Sequence, residues 1–367
     1  MKKTMIIVFV AICFGFLVSC EPHIHNYGDV VPQCTTDVKA ECIDCGEITV
    51  IKATGHIDSD GDGICDVCGE EASTVIIHVT SLDELKTAPA QAASLGTKMV
   101  ILDNDIAWPS SQTEVIEIDM TGLNFNMNDH SITDIKTNAL NFIGDSFTIR
   151  NGSFTSSSDN TKYSFCINYN GSNATTSALV SLAQSKIPEA FTDSDNVWKH
   201  RIILDRITAN SCLAGYSTLE VKDCLFSNGV YRGLVFQGSS GIVQDTYVVT
   251  ANTATSAGLV AHSYGEITLK GTVTVKGKFG GYSSISGKIT VAADATVSFN
   301  GFSNYGLYIE KGGIAVLSSG TTLGTPADYQ VHFGTDGGTV TLNGATIKDK
   351  NGATVVSVSY DGTGTIN

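Results

Sequence analysis

The residues best suited to chemistry fall into three groups. The first lies in Gly55–Glu71, "GHIDSDGDGICDVCGEE", where His56 precedes Cys65 by nine positions and Cys65-x-x-Cys68 follows. A similar unit stands upstream: His25 precedes Cys34 by nine, and Cys42-x-x-Cys45 follows. One histidine and three cysteines make a closed tetrahedral zinc set, so the first unit is complete and the second is one sulfur short. The aspartates support a rival reading. Asp58, Asp60, Asp62, Gly63 and Asp66 fall at positions 1, 3, 5, 6 and 9 of a calcium loop, although Gly69 stands where an EF-hand has glutamate. Disulfides are the third option, Cys65 with Cys68 or Cys34 with one of the knuckle pair. Five clustered cysteines cannot all pair among themselves, which counts against a purely disulfide-bonded module. Zn2+, Ca2+ and disulfides thus stay open, and all three make the segment a staple, because about fifty residues with few aromatics cannot build a sufficient core.

The second group is Asp205, Asp223 and Asp245, in "ILDRI", "VKDCL" and "VQDTY". If successive turns of a repeating fold bring them together, they form a carboxylate set suited to acid/base work, and Arg206 and Lys222 beside them either neutralise it or serve as the base that a lyase needs. The corresponding positions elsewhere are Asn151, Gly271, Ala293, Ser318 and Gly344. Such residues are also what a tight turn needs. The third group is Tyr282, Tyr305, Tyr308, Gln330, His332, His262 and Glu310. Aromatic faces stack on sugar rings while amides and carboxylates bind hydroxyls, so this set fits a carbohydrate surface.

What must position these groups is visible as a period. Leu234, Leu259, Ser283, Leu307, Val331 and Val356 recur at steps of 25, 24, 24, 24 and 25 residues. Each has an apolar or small partner two residues on (Phe236, Ala261, Ile285, Ile309, Phe333, Val358), as one face of a strand requires. Further columns run through Ile242, Ile267, Ile289, Ile314 and Val340, and through Phe226, Val249, Val273, Val297, Leu323 and Ile347. Three strands per coil of about 22–26 residues, each coil burying its neighbour's inward side, describe an all-β right-handed parallel β-helix. Between the inward pairs lie the outward residues Val235, Val260, Ser284, Tyr308, His332 and Ser357.

With these columns the chain resembles the pectate-lyase-like superfamily. The resemblance implies outward sites built from the same position on consecutive coils, including stacked carboxylates for calcium-dependent lyases and paired acids for hydrolases. Its hydrolase motifs Asn-Thr-Asp and Gly-His-Gly, and an Arg-x-Lys in the body, are missing. The pattern "GH...DGDGxCDxCG" is similar to His/Cys units of large surface proteins of anaerobic bacteria, a resemblance that brings no activity with it.

The flanking segments complete the domain map. Residues 1–19 carry two lysines and an apolar run, followed by Leu17-Val18-Ser19-Cys20, which reads as a secretory signal. Those last four residues resemble a bacterial lipobox, implying lipidation of Cys20, a membrane partner, and an outer-membrane or cell-surface location. Without that signal the chain holds 20 basic and 37 acidic residues, a balance that makes nucleic acid an unsuitable partner. Residues 20–72 form the His/Cys/Asp stalk module and 73–122 a cap, with Thr80 or Ser81 starting a helix toward Ser94 and Val100–Leu102 as first strand. The β-helix spans 123–367, interrupted by an insertion near 160–200. Cys166, Cys212 and Cys224, scattered through it, are expected as buried thiols.

The expected function is a surface-exposed lipoprotein whose β-helix binds carbohydrate or a partner surface, adhesin-like and without catalysis. The alternatives are a polysaccharide lyase or glycoside hydrolase using the aspartates, and a passive spacer.

Overall fold

The computed structural model describes Asn26, Cys34, 38–44, Gly46, 48–51, His56, Cys65, 75–144, 146–169, 201–253, 256–302, 304–326 and 328–367. Cys20, His25, Cys45, Cys68, Asp58, Asp60, Asp62 and Asp66 lie outside these residues, as does most of the expected insertion. The chain divides into two units, Met1–Ser73 and Thr74–Asn367.

In the first unit, Val38–Glu41 pairs antiparallel with Ile48–Ile51, Val38 opposite Ile51 and Glu41 opposite Ile48. The turn is closed by the Gly46 N–H donating to the Cys42 carbonyl at 2.9 Å, with Gly46 at φ +72°. A left-handed turn residue beside a cysteine knuckle is a place where glycine is required.

The second unit is a parallel β-solenoid of about eleven turns. One wall is a ten-stranded sheet from Ile116–Asp119 to Tyr360–Asp361, and the other walls run together because Phe147–Ser156 and Ile202–Ala209 each turn a corner within one strand. No coil can bury its inward side chains alone, so the core is a set of stacks along the axis. Early coils fill it with Phe142, Phe154 and Phe165, the last two 4.4 Å apart between ring centres. Cys166, Cys212 and Cys224 are buried, as expected.

The period holds while its register shifts locally. Leu234 pairs with Leu259, Leu259 with Gly281, Gly281 with Leu307, and Leu307 with Val331, so the inward positions of that coil are Gly281 and Ser283 rather than Ser283 and Ile285. The reason is volume. A Cβ at Gly281 would sit 2.8 Å from Leu307 Cδ2 and 3.1 Å from the Phe299 ring, so the phenylalanine fills the slot that the glycine leaves. Gly241 does the same for Phe236, and therefore Gly241 rather than Ile242 is in register with Ile267. Ala315 replaces Ile314 in that column. The third column reads Phe226, Val248, Val275, Phe299, Leu323, Ile347, which displaces Val249, Val273 and Val297 from it. Phe165–Ile167 is a regular rung, so the coil continues beyond Asn160.

Both solenoid ends differ from a plain coil. The helix Leu82–Leu95 covers the first: Leu82, Leu85, Ala88 and Ala92 are buried, Ser81 caps it by accepting from the Glu84 N–H, and Glu84 accepts in return from Thr80 N at 2.6 Å. This reciprocal capping is legible in the sequence "TSLDE". A strand missed in the sequence, Ile77–Val79, precedes it and pairs parallel with Met99–Leu102. At the far end the chain doubles back antiparallel, Ile347 opposite Val355, which leaves Val356 fully exposed and brings Tyr360 beside Val331.

Candidate functional site

The ten-stranded sheet carries an outward column in strict register: Cys166, Leu213, Val235, Val260, Tyr282, Tyr308, His332, Asp361. Its first half is apolar and covered by Tyr163, Tyr169 and Tyr231, a small outer core against the sheet. Its second half is the aromatic strip. Tyr282 and Tyr308 meet edge to face at 5.1 Å, Tyr308 and His332 lie 4.8 Å apart, and Tyr305 stacks on His332 at 4.8 Å with 22° between planes. Phe279 lies parallel to Tyr305 and 4.8 Å from Tyr308. Rungs about 4.8 Å apart impose this spacing, so any ring at one register position must touch the next.

Two carboxylates orient the strip. Glu310 accepts from Tyr282 (2.6 Å), Ser284 (3.1 Å) and Tyr308 (3.2 Å). Burial alone would raise its pKa, but these three donors and the nearby Lys311 outweigh it and hold the carboxyl below its usual range. Burial, followed by Glu310, pushes the Tyr282 hydroxyl up, so the phenol stays a neutral donor. Asp361 binds the far end, 2.7 Å from His332 Nδ1 and accepting from the Tyr305 hydroxyl at 3.1 Å.

Of the sequence-selected residues, Tyr282, Tyr305, Tyr308, His332 and Glu310 therefore converge. Gln330 does not join them. It is buried, its amide donates to the Lys348 carbonyl and accepts from Ser359 N–H, so it serves the backbone instead. His262 sits at its strand's end, opposite Ser284, with Nδ1 2.7 Å from the Ser263 hydroxyl. Burial, then the charges of Arg232 and Lys311, lower its pKa to about 4. Ser284 lies beside the column rather than in it, and Ser357 is exposed in the terminal return. Phe279 and Asp361 were missed. Asp361 lies 29 residues past its rung partner His332, beyond the period, because the antiparallel return intervenes.

Asp223 and Asp245 take the turn position that the sequence also allowed, and Asp205 stands one residue out of that column. Asp205 pairs in register with Lys222, while Asp223 and Asp245 stand one position later, at the corner. Asn151, Arg206, Asp223, Asp245 and Gly271 occupy that corner with φ between 47° and 57°. Short polar residues and glycine tolerate this left-handed conformation best. Asp245 accepts from Thr272 N–H at 2.8 Å across Gly271, which lowers its pKa, and Asp205 accepts from Arg206 at 3.0 Å. Asp223 and Asp245 border an open hollow with Thr246, Tyr247 and Thr272.

In the N-terminal unit, Cys34, His56 and Cys65 place their ligand atoms within 4.8 Å of one another, a group that can hold a metal ion. This crosses the two sequence repeats, since Cys34 joins the second unit's residues rather than Cys42. The hairpin is the reason. In sequence, Cys34 precedes the first strand and His56 follows the second, whereas Cys42 lies in the turn between them. Cys34 and Cys65 sulfurs are 3.3 Å apart, wider than a disulfide at about 2.05 Å and near the ~3.8 Å edge of a tetrahedral zinc–thiolate site.

No protein-family model, curated protein or solved structure matches this chain.

Proposed function

We propose that the ten-stranded wall binds carbohydrate or a glycan-bearing partner surface without cleaving it. The carrying observation is the contiguous Phe279, Tyr282, Tyr305, Tyr308 and His332 stack, half-buried, hydrogen-bonded at its edges and fixed in spacing by the rungs. Rings held rigid in this way lose little freedom on binding, and the ring surface that the stack leaves exposed accepts the C–H side of a pyranose. Their carboxylate partners already hold the hydroxyls in place, so the strip is preorganised.

The experiment is titration of the purified protein with neutral and acidic polysaccharides, scoring binding and new reducing ends together. Tyr308→Ala and His332→Ala are expected to weaken binding tenfold or more with no new reducing ends in any variant. Binding indifferent to both substitutions would remove the strip from the reading. Cleavage that vanishes in Asp223→Ala would make the corner aspartates an active site instead.

For the N-terminal unit, the two thiols and one imidazole support a zinc ion as the staple, because soft sulfur and imidazole ligands suit zinc and disfavour calcium. Zinc there closes the hairpin's open end onto the second repeat.

A further inference from the structure

Beside the aromatic strip, on the same wall, lies a groove of about 330 Å³. Its lining includes Lys162, Tyr163, Tyr231, Arg232, His262 and Lys311. Three cations in one groove is an unusual concentration for a chain with 22 basic and 37 acidic residues. Like charges gathered this closely repel unless something negative answers them. Glu310, 4.0 Å from Lys311, answers one of these charges, whereas among the described residues Lys162 and Arg232 form no ion pair.

The groove is also rigid. Its lining includes Tyr163 and Leu213, which pack into the outer core with Cys166, Val235 and Val260. Arg232 is held with its guanidinium carbon 4.7 Å from the Tyr231 ring centre and 5.3 Å from that of Tyr282, and Tyr231 meets Tyr163 edge-on at 6.1 Å. One N–H of this guanidinium reaches the Tyr163 hydroxyl, and stacking on two rings leaves the rest of the fork for a planar or tetrahedral anion. Arg232, His262 and Lys311 line the same groove, and burial first, then the two cations, lower the basicity of His262. Because Arg232 touches Tyr282, groove and strip form one continuous surface.

We propose that this groove binds the anionic group of a charged sugar, a carboxylate or a sulfate ester, while the strip holds the neighbouring rings. This rests on reading the strip as a glycan surface. The strip supplies contact area and the groove selects charge.

The test measures affinity of the full protein for hyaluronan, which carries only carboxylates, keratan sulfate, which carries only sulfates, and laminarin, which is neutral. Wild type, Arg232→Gln, Lys311→Gln and Tyr308→Ala are compared, with thermal melts to confirm folding. The expected result is at least tenfold preference for one or both anionic polymers, weakened by added salt and abolished by Arg232→Gln or Lys311→Gln, which lower anionic binding at least tenfold more than laminarin binding. Which polymer is preferred identifies carboxylate or sulfate as the group. Lys311 is half exposed, so its substitution stays informative if Arg232→Gln fails to fold. Equal binding of all three polymers by wild type, or charge preference surviving in Lys311→Gln, overturns the groove and leaves the strip standing. Anionic binding lost in Lys311→Gln but intact in Tyr308→Ala overturns the strip and leaves the groove. Failure to bind any polymer counts against both.

Discussion

Cys34 shows how a residue's role depends on what lies between it and its partners. The matching nine-residue spacings from His25 to Cys34 and from His56 to Cys65 make each repeat look self-sufficient. The hairpin at 38–51 instead carries His56 back to Cys34. If zinc is the staple, purified protein carries zinc that Cys34→Ser or His56→Ala removes, and cobalt replacing it gives the visible bands of a tetrahedral thiolate site. Because metal binding in so small a unit is folding energy, chelation should also unfold residues 20–72 while leaving the solenoid intact. Loss of zinc in Cys42→Ser with retention in Cys34→Ser would reverse the assignment, and a Cys34–Cys65 linked peptide in a non-reducing digest would replace it with a disulfide. The residue types of the aromatic strip were readable, since tyrosines and a histidine recur at strand spacing. Arg232 was not, because its importance comes from stacking on Tyr231 and Tyr282, neither of which marks it in the sequence.

At the scale of the strand, the coil length was legible and the register was not. Leucine, isoleucine and valine mark inward positions only while every coil fills its own share of the interior. Where Phe236 and Phe299 reach across, the inward slot opposite holds glycine, and an apolar count slips to the nearest large residue. The coupling is measurable. Gly281→Val is expected to cost about 1–3 kcal/mol by overpacking. Phe299→Leu makes room, so the double variant should recover roughly 1 kcal/mol relative to the sum of the single changes. A urea-denaturation cycle reads this directly, and strict additivity would mean the two side chains do not share that space.

For the molecule as a whole, a solenoid must end, and each end offers a rung of unpaired backbone to another chain. The helix Leu82–Leu95 meets that hazard at one end, and the expected short helix was readable from its cap. The antiparallel return at 354–355 meets it at the other, and no periodic signal announced it. Leu85→Arg, at a fully buried helix position, should undock the helix and cause association that grows with concentration in light scattering. The same change at exposed Leu95 should do nothing. A monodisperse Leu85→Arg protein would show that the helix is dispensable as a lid.

Stacked coils also have a mechanical character. Their hydrogen bonds point along the axis, so a pull between the two ends loads the rungs in series and the weakest terminal rung yields first. Each coil of about 24 residues then releases up to ~80 Å of chain. Under tension such a wall lengthens in nearly equal steps, dissipating work turn by turn while the remaining rungs keep their outward columns in register.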